Sequence, residues 1–232
     1  MEIPFGIIAN SCAIVLAGLL GVLFREKIPS RILETMPVTL ALAAMAIGIS
    51  AIFKLETVPV VVLSLVIGSV IGELLNIDRN LLKVMQKLQR FSIFAIGKEQ
   101  QELFITLLVL FSASGTGIFG ALHAGMTGDH SILLAKTVLD FFTAISFATT
   151  LGIIVSTLVI PQFVIQFLLF VFAYWVLPFV TDPMLANFQA TGGIITFAIG
   201  LKIAGIKDIR AVNLIPALFI VFFFTALWER FL

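Results

Sequence analysis

Charge is what this sequence has least of. Of its 232 residues only 12% are Asp, Glu, Lys or Arg, while 60% are hydrophobic, and mean hydropathy is +1.18. A soluble domain carries about 25% charged residues, so half that supply excludes an ordinary water-facing surface. The charges also nearly cancel, at a net +1, which leaves no basic footprint for nucleic acid. The single cysteine, Cys12, excludes an internal disulfide, and its apolar setting reads as that of a small buried hydrophobe. Two histidines exclude a histidine-rich metal centre. One Tyr and two Trp against 23 Phe indicate lipid-facing bulk with few interfacial anchors. No Walker A loop, CxxC, HExxH, Rossmann glycine fingerprint or GxSxG elbow is present, so neither a cofactor nor a soluble-enzyme chemistry is expected. The opening MEIPFG lacks the basic stretch of a cleavable signal, and Met1–Phe24 reads as an uncleaved span.

What is there is a series of long apolar runs. Eight candidate transmembrane helices cover roughly 5–24, 36–53, 57–75, 103–122, 132–159, 162–180, 188–206 and 211–228, each near the roughly 20 residues that a bilayer core requires. Runs this long and non-alternating are helices, because lipid demands that each backbone group be satisfied within its own segment. Pro29 and Pro37 bracket the first loop, Lys54–Thr57 the second and Thr181–Pro183 the sixth. The expectation is one all-α polytopic membrane domain over 1–232. It divides into a three-helix unit at 1–75, an interfacial helix at 76–98, a central pair at 99–160 and a second three-helix unit at 161–232.

Residues 77–98 differ in kind. Ile77, Leu81, Val84, Leu88 and Phe91 recur at helical spacing, with Arg79, Lys83, Lys87 and Arg90 on the other faces. This predicts an amphipathic helix on the membrane surface; the alternative is a basic helix that binds a partner protein. Lys and Arg also set the orientation. Arg25, Lys27, Arg31, Arg79, Lys83, Lys87, Arg90, Lys98, Lys207 and Arg210 fall in loops on one side, and only Lys54 and Arg230 on the other. The positive-inside rule then places both termini on the non-cytoplasmic side of the cell or inner membrane.

An internal match adds to this. Thr39–Ile49 aligns with Thr191–Leu201 at an offset of 152, with the threonines and the Ala-Ile-Gly blocks at 46–48 and 198–200 identical. Helices 1–3 then correspond to 6–8, and the five crossings between them make the second copy inverted. Inverted repeats around a central pair recur in transporters, with sites near the midplane. Chance similarity between apolar helices is the alternative.

The densest polar constellation lies at the centre: Asp129, His130 and Ser131, then Lys136 and Asp140. Asp129 precedes an apolar helix, whose first amides its carboxylate can cap. Lys136 and Asp140 stand four apart, on one helical face, at a depth where charges face a bundle interior or a watery cavity. A paired structural charge that fixes packing is the plainer reading. The preceding helix carries Ser112, Ser114, Gly115, Thr116, Gly117 and Gly120, which permit close helix packing or a broken helix lining a polar path. His123, near that helix's end, reads as interfacial, with a proton relay as the alternative. Asn10 and Gln166, on the first helices of the two units, either hydrogen-bond neighbouring helices or line a shared cavity. Asn213 joins them as a candidate, while Glu73 and Lys202 sit near helix ends where they can snorkel to water.

The segment GxxGDHSxLLAKxxLD, Gly125 to Asp140, resembles a signature of the YqgA/YdfK-type bacterial membrane proteins, a domain-of-unknown-function family. An early asparagine followed by Gly18 and Gly21, the run from Ile209 to Leu218, and the Gly205–Asp208 turn resemble it as well. The resemblance implies an inner-membrane fold and no substrate, with Asp129, Lys136, Asp140, Gln166 and Asn213 as the motif's polar residues. Departures are Ser112–Gly117 in the fourth helix, Lys202, and Phe167 where a glycine is usual. The functional expectation is a secondary transporter or channel-like permease for a small polar or charged solute, with coupling to a proton or cation left open. Its partners are the bilayer and a small-molecule or ion substrate, and a homo-oligomer is open. Substrate-capturing or structural subunits and a membrane-embedded enzyme are the alternatives.

Overall fold

Apolar helices of this length bury one another only where side chains let their backbones approach, and glycines decide where that happens. In the computed structural model, residues 3–25, 27, 29–81, 83, 104, 107–108, 110–112 and 115–231 are described. Among them the secondary structure is helical throughout. Eight α-helices follow one another: α1 (Phe5–Leu23), α2 (Ser30–Ile52), α3 (Val58–Leu74), α4 (Gly115–Thr127), α5 (Ser131–Leu151), α6 (Val159–Val176), α7 (Asp182–Ile203) and α8 (Pro216–Phe231). Residues 104, 107–108 and 110–112 are helical as well. The chain is an all-α membrane protein. Of the amphipathic helix expected at 77–98, only 77–81 and 83 are described, and they are helical; the rest, and any break at 113–114, lie outside the described residues.

Among the described residues, four stretches are long and apolar enough to cross a bilayer, fewer than the eight expected. They are Phe5–Leu23, Ser131–Phe179, Asp182–Ile203 and Ala211–Phe231, with shorter apolar helices at Val38–Ile52 and Val58–Leu74. The 49-residue second stretch contains both α5 and α6.

Several boundaries differ from those the sequence suggests. Pro37 lies inside α2, which begins after Pro29, whose extended backbone starts the turn into the helix. The fifth helix does not run to residue 159. It ends at Leu151, and Gly152, at φ 75° and ψ −158°, occupies a region almost exclusive to glycine before a 3-10 segment, Gly152–Leu158, leads into α6. A glycine in an apolar run gives no polar warning of a break. α4 continues through Gly125, because that glycine packs beneath the Phe170 carbonyl of α6. α7 starts early, at Asp182, where the Thr181 hydroxyl accepts the Met184 amide at 3.3 Å and Pro183 occupies the first turn. Ile215 separates the 3-10 turn Ala211–Leu214 from α8, whose first residue is Pro216.

Helix pairing is closest for α2 with α7, α1 with α5, α4 with α6 and α3 with α8. At the α2–α7 crossing the glycines act reciprocally. A Cβ on Gly48 would lie 2.7 Å from the Gly193 carbonyl oxygen and 2.9 Å from the Phe197 Cβ; one on Gly200 would lie 2.9 Å from the Ala41 carbonyl oxygen and 2.5 Å from the Met45 Cγ. Shifted by 152 residues, each set of partners becomes the other.

The distribution of polarity is that of a protein dissolved in lipid. Leu168, Trp175 and Phe223, 62–71% exposed, point outward together with Leu16, Phe53 and Phe172. Asn10, Gln162, Gln166 and Asn187 are fully buried, and Lys136 and Asp140 nearly so. Cys12, expected to be buried, faces outward on α1, because α1 turns its Asn10–Ile14–Ala17–Gly21 face to α5 and the 3-10 segment.

Candidate functional site

Lys136 and Asp140 stand one turn apart at the middle of α5, and both are buried. The Lys136 ammonium donates to Asp140 Oδ2 in a short contact, and the Asn10 amide of α1 donates to the same oxygen at 2.9 Å. The Lys136 ammonium also lies 5.8 Å from the centre of the Phe111 ring, within cation–π reach. Asn10 Oδ1 and Ser112 Oγ are buried and have no hydrogen-bond partner among the described residues. The pair borders a cleft of about 230 Å³ whose other walls include Met36 and Leu40 of α2, Thr116 of α4, Phe142 of α5 and Ile199 of α7.

Beside this cluster runs a second. Ser11, next to Asn10 on α1, donates to Gln162 Oε1 at 3.0 Å; Gln162 donates to Gln166 Oε1 at 2.6 Å; and Gln166 Nε2 reaches the Phe111 carbonyl at 3.5 Å. Asn10 and Gln166 are therefore neighbours through Ser11 and Gln162, each with its own partners. Gln162 was not singled out from the sequence, although the offset of 152 places it opposite Asn10 and so could have found it.

Asp129 lies apart, at the mouth of α5, half-exposed. Its carboxylate accepts the Ser131 amide at 2.8 Å and the Ser131 hydroxyl at 3.0 Å, and stands 3.5 Å from His123 Nε2. Partial burial pushes its pKa up, but the Ser131 amide and hydroxyl and His123 outweigh this and hold it below the ordinary carboxylate value. His123, expected at the interface, is buried, with Nδ1 3.3 Å from the Gln189 amide. Lys202 and Glu73 do reach outward, pairing with Asp208 at 3.1 Å and Arg210 at 2.9 Å.

Asn213 belongs to neither cluster. From the 3-10 turn Ala211–Leu214 its Oδ1 accepts the Asp78 amide at 2.8 Å and its Nδ2 donates to Glu73 Oε1 at 2.9 Å, closing the end of α3. Asn213→Ala should lower stability by about 1–3 kcal/mol by leaving a buried position with unmade bonds. Arg210→Ala, which removes only an exposed ion pair, should cost at most about 1 kcal/mol. Melting of the two variants in detergent checks the order.

The chain as a whole has relatives among other proteins. A family model described as protein of unknown function (DUF554) matches residues 5–226. The chain belongs to that family. Within the DUF554 family it is 42% identical to "Uncharacterized protein YqgA" of Escherichia coli (strain K12) over 223 residues, covering 94% of this chain and 95% of that protein. It is 27% identical to "Uncharacterized membrane protein YdfK" of Bacillus subtilis (strain 168) over 220 residues, covering 93% of each. No solved structure matches. The resemblance carried by Gly125–Asp140 and Ile209–Leu218 is thus borne out across the length of the chain.

Among the described residues no group of three or more His, Cys, Asp or Glu is placed to hold a metal ion. The Lys136–Asp140–Asn10 arrangement can exchange a proton, hold a charged group or be held shut by its own ion pair.

Proposed function

We propose that this DUF554 protein is a secondary transporter or channel-like permease for a small polar or charged solute, coupled to a proton or cation. The observation that carries the reading is an ion pair buried at the middle of a membrane helix and bordering a cleft of about 230 Å³. A charge pair that served packing alone would need no cleft beside it, and ionisable groups at membrane depth mark solute and ion pathways. In this reading both termini face away from the cytoplasm, and α1–α3 and α6–α8 are inverted copies. The reciprocal contacts of Gly48 and Gly200 across α2 and α7 support that symmetry. A substrate-capturing or structural subunit is the second reading, and an embedded enzyme a weaker one.

The test is transport by purified protein in liposomes, recorded as currents on a supported membrane across a panel of anionic, cationic and neutral solutes. The wild type should respond to one class. The double variant Lys136→Leu, Asp140→Leu should fold, melting within a few degrees of the wild type, yet give no current. Wild-type currents in that variant would discard the site, and silence of the wild type across the panel would favour the subunit reading.

A further inference from the structure

The two charges of the cluster are not equivalently placed, and the difference says which kind of solute can part them. Among the described residues, Lys136 has one hydrogen-bond partner, Asp140, and otherwise faces the Phe111 ring. Asp140 has two, Lys136 and the Asn10 amide. The same Asn10 amide carries a buried oxygen, Oδ1, with no partner. Turning that amide over would set its oxygen against the carboxylate, so the orientation in which Nδ2 donates is the one that electrostatics selects.

A carboxylate has no use for an idle acceptor beside it, but a carboxylic acid does. Protonated, Asp140 gains an O–H donor, and the unpartnered oxygen of the same Asn10 amide is the kind of acceptor such a donor needs. Among the described residues Lys136 has no second hydrogen-bond partner beside Asp140. The cluster is therefore built to give up the negative charge of Asp140 and keep the positive charge of Lys136.

We propose that the solute is a small organic monoanion, a carboxylate with a short apolar body, bound by Lys136 while Asp140 takes up one proton. This rests on the transport reading above and narrows it. In the step, the Lys136–Asp140 ion pair opens, one proton adds to the Asp140 carboxylate and is held against Asn10, and the solute carboxylate replaces Asp140 on the Lys136 ammonium. One anion and one proton enter together, so the buried site is neutral before and after, which avoids the cost of an uncompensated charge in lipid. The cleft fits such a body. Both charged groups line it, its other walls are mainly Leu, Ile, Met and Phe with the hydroxyls of Thr116, Thr143 and Ser146, and its volume of about 230 Å³ suits a small molecule. Lys136 is the one charged group in contact with Asp140 among the described residues. α1 presents Asn10, and what α2, α4 and α7 turn to the cleft, Met36 and Leu40, Thr116, and Ile199 and Ile203, is uncharged.

The experiment measures binding by the full chain purified in detergent, through shifts in melting temperature and titration calorimetry, with three probes of similar size: butyrate, butylammonium and butyramide. Butyrate should raise the melting temperature and the other two should not. With one proton taken up per anion, its apparent Kd should tighten about tenfold for each pH unit lowered while Asp140 starts ionised. Asp140→Asn, which mimics the neutral acid, should bind butyrate with no pH dependence, and Lys136→Leu should not bind it. If Asp140→Asn does not fold, the pH series on the wild type with the three probes still decides. Butylammonium binding that tightens as pH rises would overturn the anion assignment and leave the transport reading standing. Butyrate binding without pH dependence would overturn the coupled uptake of a proton by Asp140, and so the proposal as stated, while leaving the transport reading standing. Failure of all three probes on folded protein that carries currents would likewise end this inference alone; failure together with silent membranes would end both.

Discussion

Replacing Lys136 by leucine should destabilise the protein by about 3–5 kcal/mol, the usual cost of stranding one partner of a buried ion pair. Asp140 would keep the 2.9 Å bond from Asn10 but lose the ammonium that balances its charge. Asp140→Leu should cost a similar amount, because Lys136 would be left with the Phe111 ring and no carboxylate. Combining the two should recover most of the loss. A matched apolar pair needs no desolvation of charge, so the double variant should lie within about 1–2 kcal/mol of the wild type, the residue being Asn10 left without its acceptor. Denaturant melts of the three variants give the coupling directly. Additive losses would mean that the two side chains do not act as a pair.

The second large effect is expected where no side chain stands at all. α3 lies against the 3-10 turn Ala211–Leu214 and α8 so closely that a Cβ on Gly72 would fall 1.9 Å from the Asn213 carbonyl oxygen, and one on Gly68 2.5 Å from the Ala217 amide nitrogen. These are backbone atoms, which cannot swing aside as a flexible side chain can. Gly72→Ala should therefore cost about 3 kcal/mol, the upper end of ordinary overpacking, and should loosen the bonds by which Asn213 holds Glu73 and the Asp78 amide. Val70→Ala, on the outward face of the same helix, should change stability by no more than about 0.5 kcal/mol. Comparable losses in both would show that helix propensity, and not the close approach, governs this seam.

The Gly72 contact also shows where sequence reading stops. Glycine spacing on a helix announces that something comes near; it does not name what. That Asn213 is the neighbour follows from the fold bringing a turn some 140 residues away onto α3, and it is the reason Asn213 stands with Glu73 and Arg210 instead of with Lys136. The same limit applies to Asp129. Its place before α5 made it a cap, and the Ser131 bonds agree, but its tie to His123 depends on how α4 and α5 meet.

What the amino-acid sequence determined by itself is local or compositional. Too few charges for a wet surface made this a membrane protein, and long non-alternating runs made it helical. The spacing of four put Lys136 and Asp140 on one face, and the motif around them carried the family. Each of these depends on neighbours within a turn or on averages over the chain, which no tertiary arrangement alters. The tertiary structure decided everything that depends on which helix faces meet. It turned Cys12 outward, brought Gln162 across 151 residues to Ser11, and brought Asn10 across 130 residues to Asp140 with one amide oxygen left idle. In a chain this uniformly apolar, hydrophobicity hardly distinguishes one helix face from another. Facing is set instead by a few close glycine approaches and by the need of buried polar groups to find one another.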